Sequence, residues 1–359
     1  MSWLKHKMIQ LVHCFPSMER RFIVLNGLMG RGVFDRVINE AISHFPEKDI
    51  KNEREKNLIM RDMRKCYIRY NLLPIEYFYF EFARKDKRQR EMYLTNYEED
   101  AILERMIGYN YYLRDLSDKW HFYELAKRFF HRAVLLFDGK NDKSDFVDYC
   151  MRVSSLFVKP LAGSEGKGAF KADIENIQAA EQLYDELAET NAKWMVEERI
   201  KQSSEMSAWN ASSVNTVRLP SFLNKNGFFV LGPILRTGRT GKCVDNTSAG
   251  GVFALIDSKN GIITTKGYDV NNQVYERHPD TNIRFEGYQI PYWDKLIETA
   301  KQAHQAFPNH LYIAWDFALT EKGWELIEGN WGRFRGAQIA GKKGLKKEFL
   351  EYMSGGTIA

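Results

Sequence analysis

The sequence predicts an α+β fold, and three observations carry that prediction. Apolar residues recur at helical spacing up to about residue 135. Near residue 150 the texture changes, with more glycine and more β-branched residues in short runs. Strands and helices then mix without a regular βαβ repeat, which disfavours a doubly wound parallel sheet. The chain has 359 residues, of which 44% are hydrophobic and 14% aromatic, enough for a sizeable core and two or three domains.

The elements follow in order. Residues 54–71 carry Leu58, Ile59, Met63, Tyr67 and Ile68 as one stripe, and Leu73-Pro74 ends the helix. Residues 97–114 repeat the pattern with Ile102, Leu103, Met106, Ile107 and Tyr111. Ser117-Asp118 reads as the cap of a helix over 119–132. Residues 154–160 read as a strand, 163–168 as a glycine loop, 172–191 as a helix and 193–200 as a strand. Several strands are expected over 214–268, then a helix over 292–306 stopped by Pro308. Two apolar runs around Glu321-Lys322-Gly323 read as a β-hairpin, and a short helix closes the chain. The expected divisions are 1–100, helical; 101–150, the lead-in to the main module; 151–205, a small subdomain with glycine loop and hinge; and 206–359, a large subdomain with the hairpin.

Composition narrows the partners. A net charge of +5 is mild for this length and does not argue for nucleic acid. No run approaches the roughly 18 apolar residues that span a bilayer. The basic N-terminus has no apolar stretch of signal-peptide type, and Cys14, Cys66, Cys150 and Cys243 are scattered. A cytoplasmic protein with reduced thiols is expected. The aromatic run 77–82 is followed by Arg84-Lys85-Asp86-Lys87-Arg88-Gln89-Arg90. Basic residues beside aromatics suit peripheral contact with an anionic inner membrane face or with a partner.

The chemistry concentrates at the hairpin. Glu328 and Asn330 are two apart and share a strand face; Asp316 lies on the run that pairs back against them. Hard oxygen donors converging there suit Mg²⁺, which combines carboxylates with phosphate oxygens. Lys159 precedes a loop containing Gly163, Ser164, Gly166 and Gly168, whose backbone N–H groups can cradle phosphates while the lysine adds a point charge. Glu197, Glu198 and Ile200 lie at a strand end of the kind that receives adenine, and Glu205 can accept ribose hydroxyls. Arg218, Arg236 and Arg239, with Lys242, lie near glycine turns and suit an anionic substrate or a transferring phosphoryl group. His278-Pro279 adds a loop histidine.

In this order, the residues resemble the ATP-grasp superfamily, and more narrowly its sugar-transfer-associated family. The similarity covers roughly residues 100–350. It rests most on Ser213-Val214-Asn215-Thr216-Val217-Arg218, Val244-Asp245-Asn246 with Gly250-Gly251, His278-Pro279, Ile290-Pro291 with Trp293, Trp315-Asp316 and Ile327-Glu328-Gly329-Asn330. The resemblance implies an ATP-grasp fold, two α+β subdomains gripping ATP, here with an added N-terminal helical region. Lys159 and the glycine loop would then meet the phosphates, Lys119 would be a further phosphate lysine, and Glu197, Glu198 and Ile200 would form the adenine hinge. Glu205 would bind ribose, and Asp316, Glu328 and Asn330 would hold Mg²⁺. Many members carry an arginine two residues before the metal aspartate; here Ala314 stands there, so Arg218 or Arg236 would take the cationic task. The implied activity is a Mg-ATP-dependent carboxylate–amine ligase working through an acylphosphate on a cell-surface polysaccharide precursor or related small molecule. The alternative is a kinase acting on a sugar or glycan hydroxyl, with an acid or His278 as base.

Overall fold

The computed structural model describes residues 33–43, 50, 52–107, 115–162, 168–239, 241, 250–331 and 333–355. The chain divides into two compact units: Met1–Gly108 with Val270–Gln273 and Arg333–Glu351, and Tyr109–Asp269 with Val274–Gly332 and Tyr352–Ala359.

The described residues of the first unit are mainly helical. Its longest helix, Glu53–Tyr70, starts where the Asn52 side chain accepts the Glu55 N–H and stops at Asn71 in the left-handed region (φ 52°). Pro74 opens the next helix, Pro74–Tyr79. The long helix buries Met63, Cys66 and Tyr67, at the i, i+3, i+4 spacing of one face. Leu58, expected in that stripe, is exposed, because the buried face covers only the C-terminal half. Tyr77, Phe78, Phe80 and Phe82 are all buried within this unit, and Arg90 turns inward to grip Asp62 (2.7 and 3.2 Å) and the Phe82 carbonyl. The expected helix over 97–114 is described as Asn96–Ile107; residues 108–114 lie outside the described set. No described helix is long and apolar enough to cross a membrane.

The described residues of the second unit form two antiparallel sheets. The smaller has strands β1 (Val134–Phe137), β2 (Ser155–Pro160), β3 (Phe170–Asp173) and β4 (Trp194–Glu198) in the order β1-β4-β2-β3. Helices Lys143–Val153 and Ile177–Glu189 cover one face, where Leu156, Val158 and Val196 pack with Phe137, Phe146 and Leu183. Strand alternation therefore sends Lys159, Met195 and Glu197 to the other face.

The larger sheet has β5 (Thr216–Asn224), β6 (Gly227–Val230), β7 (Ile234–Thr237), β8 (Val252–Leu255), β9 (Gly267–Tyr268), β10 (Val274–Tyr275), β11 (Tyr312–Thr320) and β12 (Gly323–Asn330). Its order is β10-β9-β8-β7-β5-β11-β12, with β6 also paired to β5. Ile313, Trp315, Phe317 and Leu319 face a core shared with Val217, Leu219, Leu235 and helix Trp293–Gln305. The alternate positions, Asp316, Arg218 and Arg236, take the opposite face. The α+β fold is thus as the sequence predicts.

Three boundaries differ from expectation. The helix expected over 119–132 ends at Ala126, followed by a tight turn Lys127–Phe129, because Phe129 and Phe130 are needed in the core and Arg132 is drawn into an ion cluster. The helix expected from 172 begins at Ile177, capped by Asn176, since residues 170–173 pair with β2 as β3. The tail holds two helices, Arg335–Gly341 and Lys346–Ser354.

Behind β5 and β11, His304 is fully buried. Its Nδ1 accepts from the Ser221 hydroxyl (2.7 Å), which itself accepts the Trp315 indole N–H (2.7 Å), and its Nε2 meets the His310 carbonyl (2.7 Å). Burial pulls its pKa down to about 4 from the ordinary 6.5. A lowered pKa means that the unfolded chain takes up the proton first, so this contribution is complete above pH 6.5 and is lost as pH falls towards 4. The loss amounts to about 3 kcal/mol over that window. Urea unfolding of His304→Gln should therefore show a flatter pH dependence between 6.5 and 4 than the parent protein; parallel curves would refute this.

Candidate active site

The hairpin brings the three oxygen-bearing residues together as the sequence suggests. Asp316 pairs directly with Glu328, and Ala314 with Asn330. The Asn330 amide donates to Glu328 (3.0 Å) and to Asp316 (3.3 Å). The register then shifts: Phe317 pairs with Leu326, leaving Ile327 as an extra residue. Such a bulge re-aims neighbouring side chains and sharpens the local twist.

Asp316 is the anion at the centre. β5 pairs with β11 so that Arg218 stands opposite Asp316, and β7 pairs with β5 so that Arg236 lies one strand further. Arg218 forms a fork on Asp316 (2.8 and 2.6 Å), and Arg236 Nη1 reaches both its oxygens at 3.2 Å. Burial opposes ionisation of Asp316, but Arg218 and Arg236 outweigh it and bring its pKa down to about 2. Glu328 moves the other way, raised by burial and by neighbouring Asp316 despite its bond from Asn330 and the charge of Lys159. Asp316 is buried and Glu328 half-buried, and two neighbouring carboxylates beside an amide have the oxygen chemistry that Mg²⁺ takes.

Lys159 lies on β2 of the small sheet, and Lys119 opens the helix Lys119–Ala126. Lys159 Nζ lies 2.6 Å from Glu197 Oε1, and Lys119 Nζ donates to the Leu161 carbonyl at 2.9 Å. Lys119 is lowered by burial and by Lys159, an effect opposed by Glu328. Both lysines and the hairpin acids therefore act within one electrostatic neighbourhood. Glu197 is buried, which disfavours its charge, yet Arg132 and then Lys159 hold its pKa below the ordinary value.

The other expected residues are less concentrated. Glu198 accepts the Ala133 N–H (3.1 Å) at the end of β4, and Ile200 follows, half-buried. Glu205 is exposed in the short helix Ser204–Ser207, its carbonyl accepting from Tyr288. Gly168 is in the left-handed region (φ 77°) beside Pro160, while Gly163, Ser164, Gly166, Lys242, Asp245 and Asn246 lie outside the described residues. Arg239 points away from Asp316 onto Asp280 (3.1 and 3.2 Å). His278 is buried, its Nδ1 accepting the Asp280 N–H (3.3 Å) and its Nε2 bonding to the Gly238 carbonyl (3.1 Å). Both ring nitrogens are engaged with backbone groups, at Gly238 and Asp280.

Sequence reasoning missed Arg132. It ends a stretch that reads as helix, and nothing local marks it. The available signal was indirect: Glu197 and Glu325 lie in apolar strands, and buried acids need a cation.

A small antiparallel sheet bearing Lys159 and a larger one bearing an acid–amide hairpin define a protein of the ATP-grasp class. The chain belongs to the sugar-transfer associated ATP-grasp family, whose model matches residues 103–353. No curated protein matches the chain. Among solved structures it is similar to the ATP-grasp ligase PsnB complexed with minimal precursor, Mg and ADP, at 13% identity and TM-score 0.39, over 66% of this chain and 59% of that one. It is also similar to D-alanine–D-alanine ligase from Bacillus anthracis, at 12% identity and TM-score 0.39, over 67% and 66%. D-cycloserine synthetase DcsG matches at 13% identity and TM-score 0.37, over 63% and 70%. The chain spans 59% and 66% of the lengths of the first two.

Proposed function

We propose that this protein is a Mg-ATP-dependent carboxylate–amine ligase that activates a carboxylate as an acylphosphate. The proposed substrate is a cell-surface polysaccharide precursor or a related small molecule, met in the cytoplasm. The observation that carries the reading is the convergence in one unit of Lys119 and Lys159 with Asp316, Glu328 and Asn330. Two lysines near carboxylate and amide oxygens suit a magnesium polyphosphate.

Mg²⁺ held by Asp316, Glu328 and Asn330 would neutralise charge between the β and γ phosphates. Lys159 and Lys119 would hold the phosphates, while Glu197, Glu198 and Ile200 would frame the adenine and Glu205 the ribose. Arg218 and Arg236 keep Asp316 ionised and lie on the face where a substrate carboxylate would be oriented; Arg239 would act further out. In the reaction, a carboxylate oxygen attacks the γ-phosphorus and ADP leaves. An amine then attacks the acyl carbon, inorganic phosphate leaves and the amine loses a proton. No nucleophilic side chain is needed. Family membership and the donor set support this reading; the engagement of His278 bears only on that form of the kinase alternative in which His278, and not an acid, is the base. We place docking to a partner or an anionic membrane on the basic residues of the helical unit.

Hydroxylamine trapping tests the chemistry. With ATP and a carboxylate that stimulates ADP release, a hydroxamate is expected; ADP release without hydroxamate would remove the ligase reading. Lys159→Ala is expected to weaken ATP binding at least tenfold, since a phosphate loses its charge-assisted donor. Unchanged affinity by calorimetric titration would contradict that assignment.

A further inference from the structure

We infer that Arg132 is a positioning residue for nucleotide binding: it keeps the Glu197 carboxylate satisfied so that Lys159 is free to exchange Glu197 for a nucleotide phosphate. This rests on the ATP-binding reading above.

Glu197 is gripped by two cations on different oxygens. Lys159 Nζ is 2.6 Å from Oε1, and Arg132 Nε and Nη2 are each 3.1 Å from Oε2. The two cations are not equivalent. Lys159 is a single ammonium on a flexible stem, and its side chain is 13% exposed. The Arg132 side chain is only 3% exposed and is fixed several times over. Its Nη1 donates to the Leu326 carbonyl (2.9 Å) and meets Glu325 Oε1 (3.3 Å), and its guanidinium lies 4.5 Å from the centre of the Phe130 ring. A planar fork so held stays in place, whereas an ammonium can turn.

A buried carboxylate resists losing its last counter-charge. If Lys159 were the sole partner of Glu197, an arriving phosphate would have to strip it away and leave a bare buried anion. With Arg132 in place, Glu197 keeps a charge-assisted partner when Lys159 turns. Arg132 also reaches the hairpin, because Leu326 directly precedes the bulged Ile327, which precedes Glu328. One side chain thus connects the anion behind the phosphate lysine to the strand that carries Glu328.

The test is a double-mutant cycle on nucleotide affinity. Parent protein, Arg132→Met, Glu197→Gln and the double variant are titrated with Mg-ATP by calorimetry, and their unfolding temperatures are recorded without ligand. Arg132→Met should weaken ATP binding on the order of tenfold or more. Adding Glu197→Gln should bring affinity back to that of Glu197→Gln alone, because Lys159 is then no longer claimed by an anion. A purely structural role would lower the unfolding temperature without such recovery. Arg132→Lys keeps the charge but not the fork, and should give an intermediate loss; it serves if the methionine variant does not fold. An affinity equal to the parent's in Arg132→Met and Arg132→Lys, or a double variant as weak as Arg132→Met, overturns the inference. If the parent itself binds no ATP, the functional reading beneath it fails, and this inference with it.

Discussion

Glu328→Gln is expected to lower turnover by at least a thousandfold while ATP affinity changes far less. The substitution keeps the size of the side chain and an oxygen that can accept from the Asn330 amide at its present 3.0 Å. What it removes is one charge from a site where Asp316 is already shared by Arg218 and Arg236. With Asp316 so compensated, Glu328 is the carboxylate left to oppose a divalent cation. Its raised pKa reports the same imbalance: burial and Asp316 leave it short of positive charge. A thousandfold corresponds to about 4 kcal/mol of transition-state stabilisation, the scale of a metal-dependent charge effect. Steady-state ADP release across a magnesium titration checks this, together with Mn²⁺ binding read by electron paramagnetic resonance. Turnover within tenfold of the parent at saturating Mg²⁺ would remove Glu328 from the proposed metal site.

The part of this site legible in the sequence is the part made by one local pattern. Glu328-Gly329-Asn330 share a face by strand period alone, and a two-residue turn forces β12 back along β11, so Asp316 meets Glu328. Lys159 is legible because a charged residue in an otherwise apolar strand must face a site or solvent. The Arg218–Asp316 and Arg236–Asp316 pairs were not. They depend on which strand lies beside β11, and Arg218 and Arg236 precede Asp316 by 98 and 80 residues. Periodicity says that Arg218 and Arg236 avoid the core face; it does not say whose face they share. The same limit hid β1, whose four residues Val134–Phe137 are too short to separate from the end of a helix. It hid Arg132 for the same reason. Helix starts were displaced where tertiary pairing won over propensity, as at residues 170–173, which the β2 edge recruits into β3.

The glycine inside that motif has its own reason, and it supplies the second large expected effect. Gly329→Ala should destabilise the protein and damage the site together. On the strand face opposite Glu328 and Asn330, a Cβ at position 329 would come within 2.6 Å of Phe122 Cε2, 3.1 Å of its Cζ and 3.3 Å of Leu116 Cδ2. The helix Lys119–Ala126 lies directly on β12 there, and its first residue is the phosphate lysine candidate. The Phe122 ring cannot easily yield, because it stacks on Phe307 (centroids 5.3 Å apart) and abuts Phe130 and Trp315. Forcing a methyl into such a core costs about 1–3 kcal/mol. The strand or the helix must therefore shift, and either movement separates Lys119 from Glu328 and Asn330. A displacement of about 1 Å at a positioned catalytic group lowers rate roughly a hundredfold. Thermal unfolding and ADP release should thus both fall in Gly329→Ala. Phe122→Leu, which opens the space, should return stability and turnover towards the levels of Phe122→Leu alone. If Gly329→Ala keeps the parent's unfolding temperature and rate, close packing is not what holds glycine between Glu328 and Asn330.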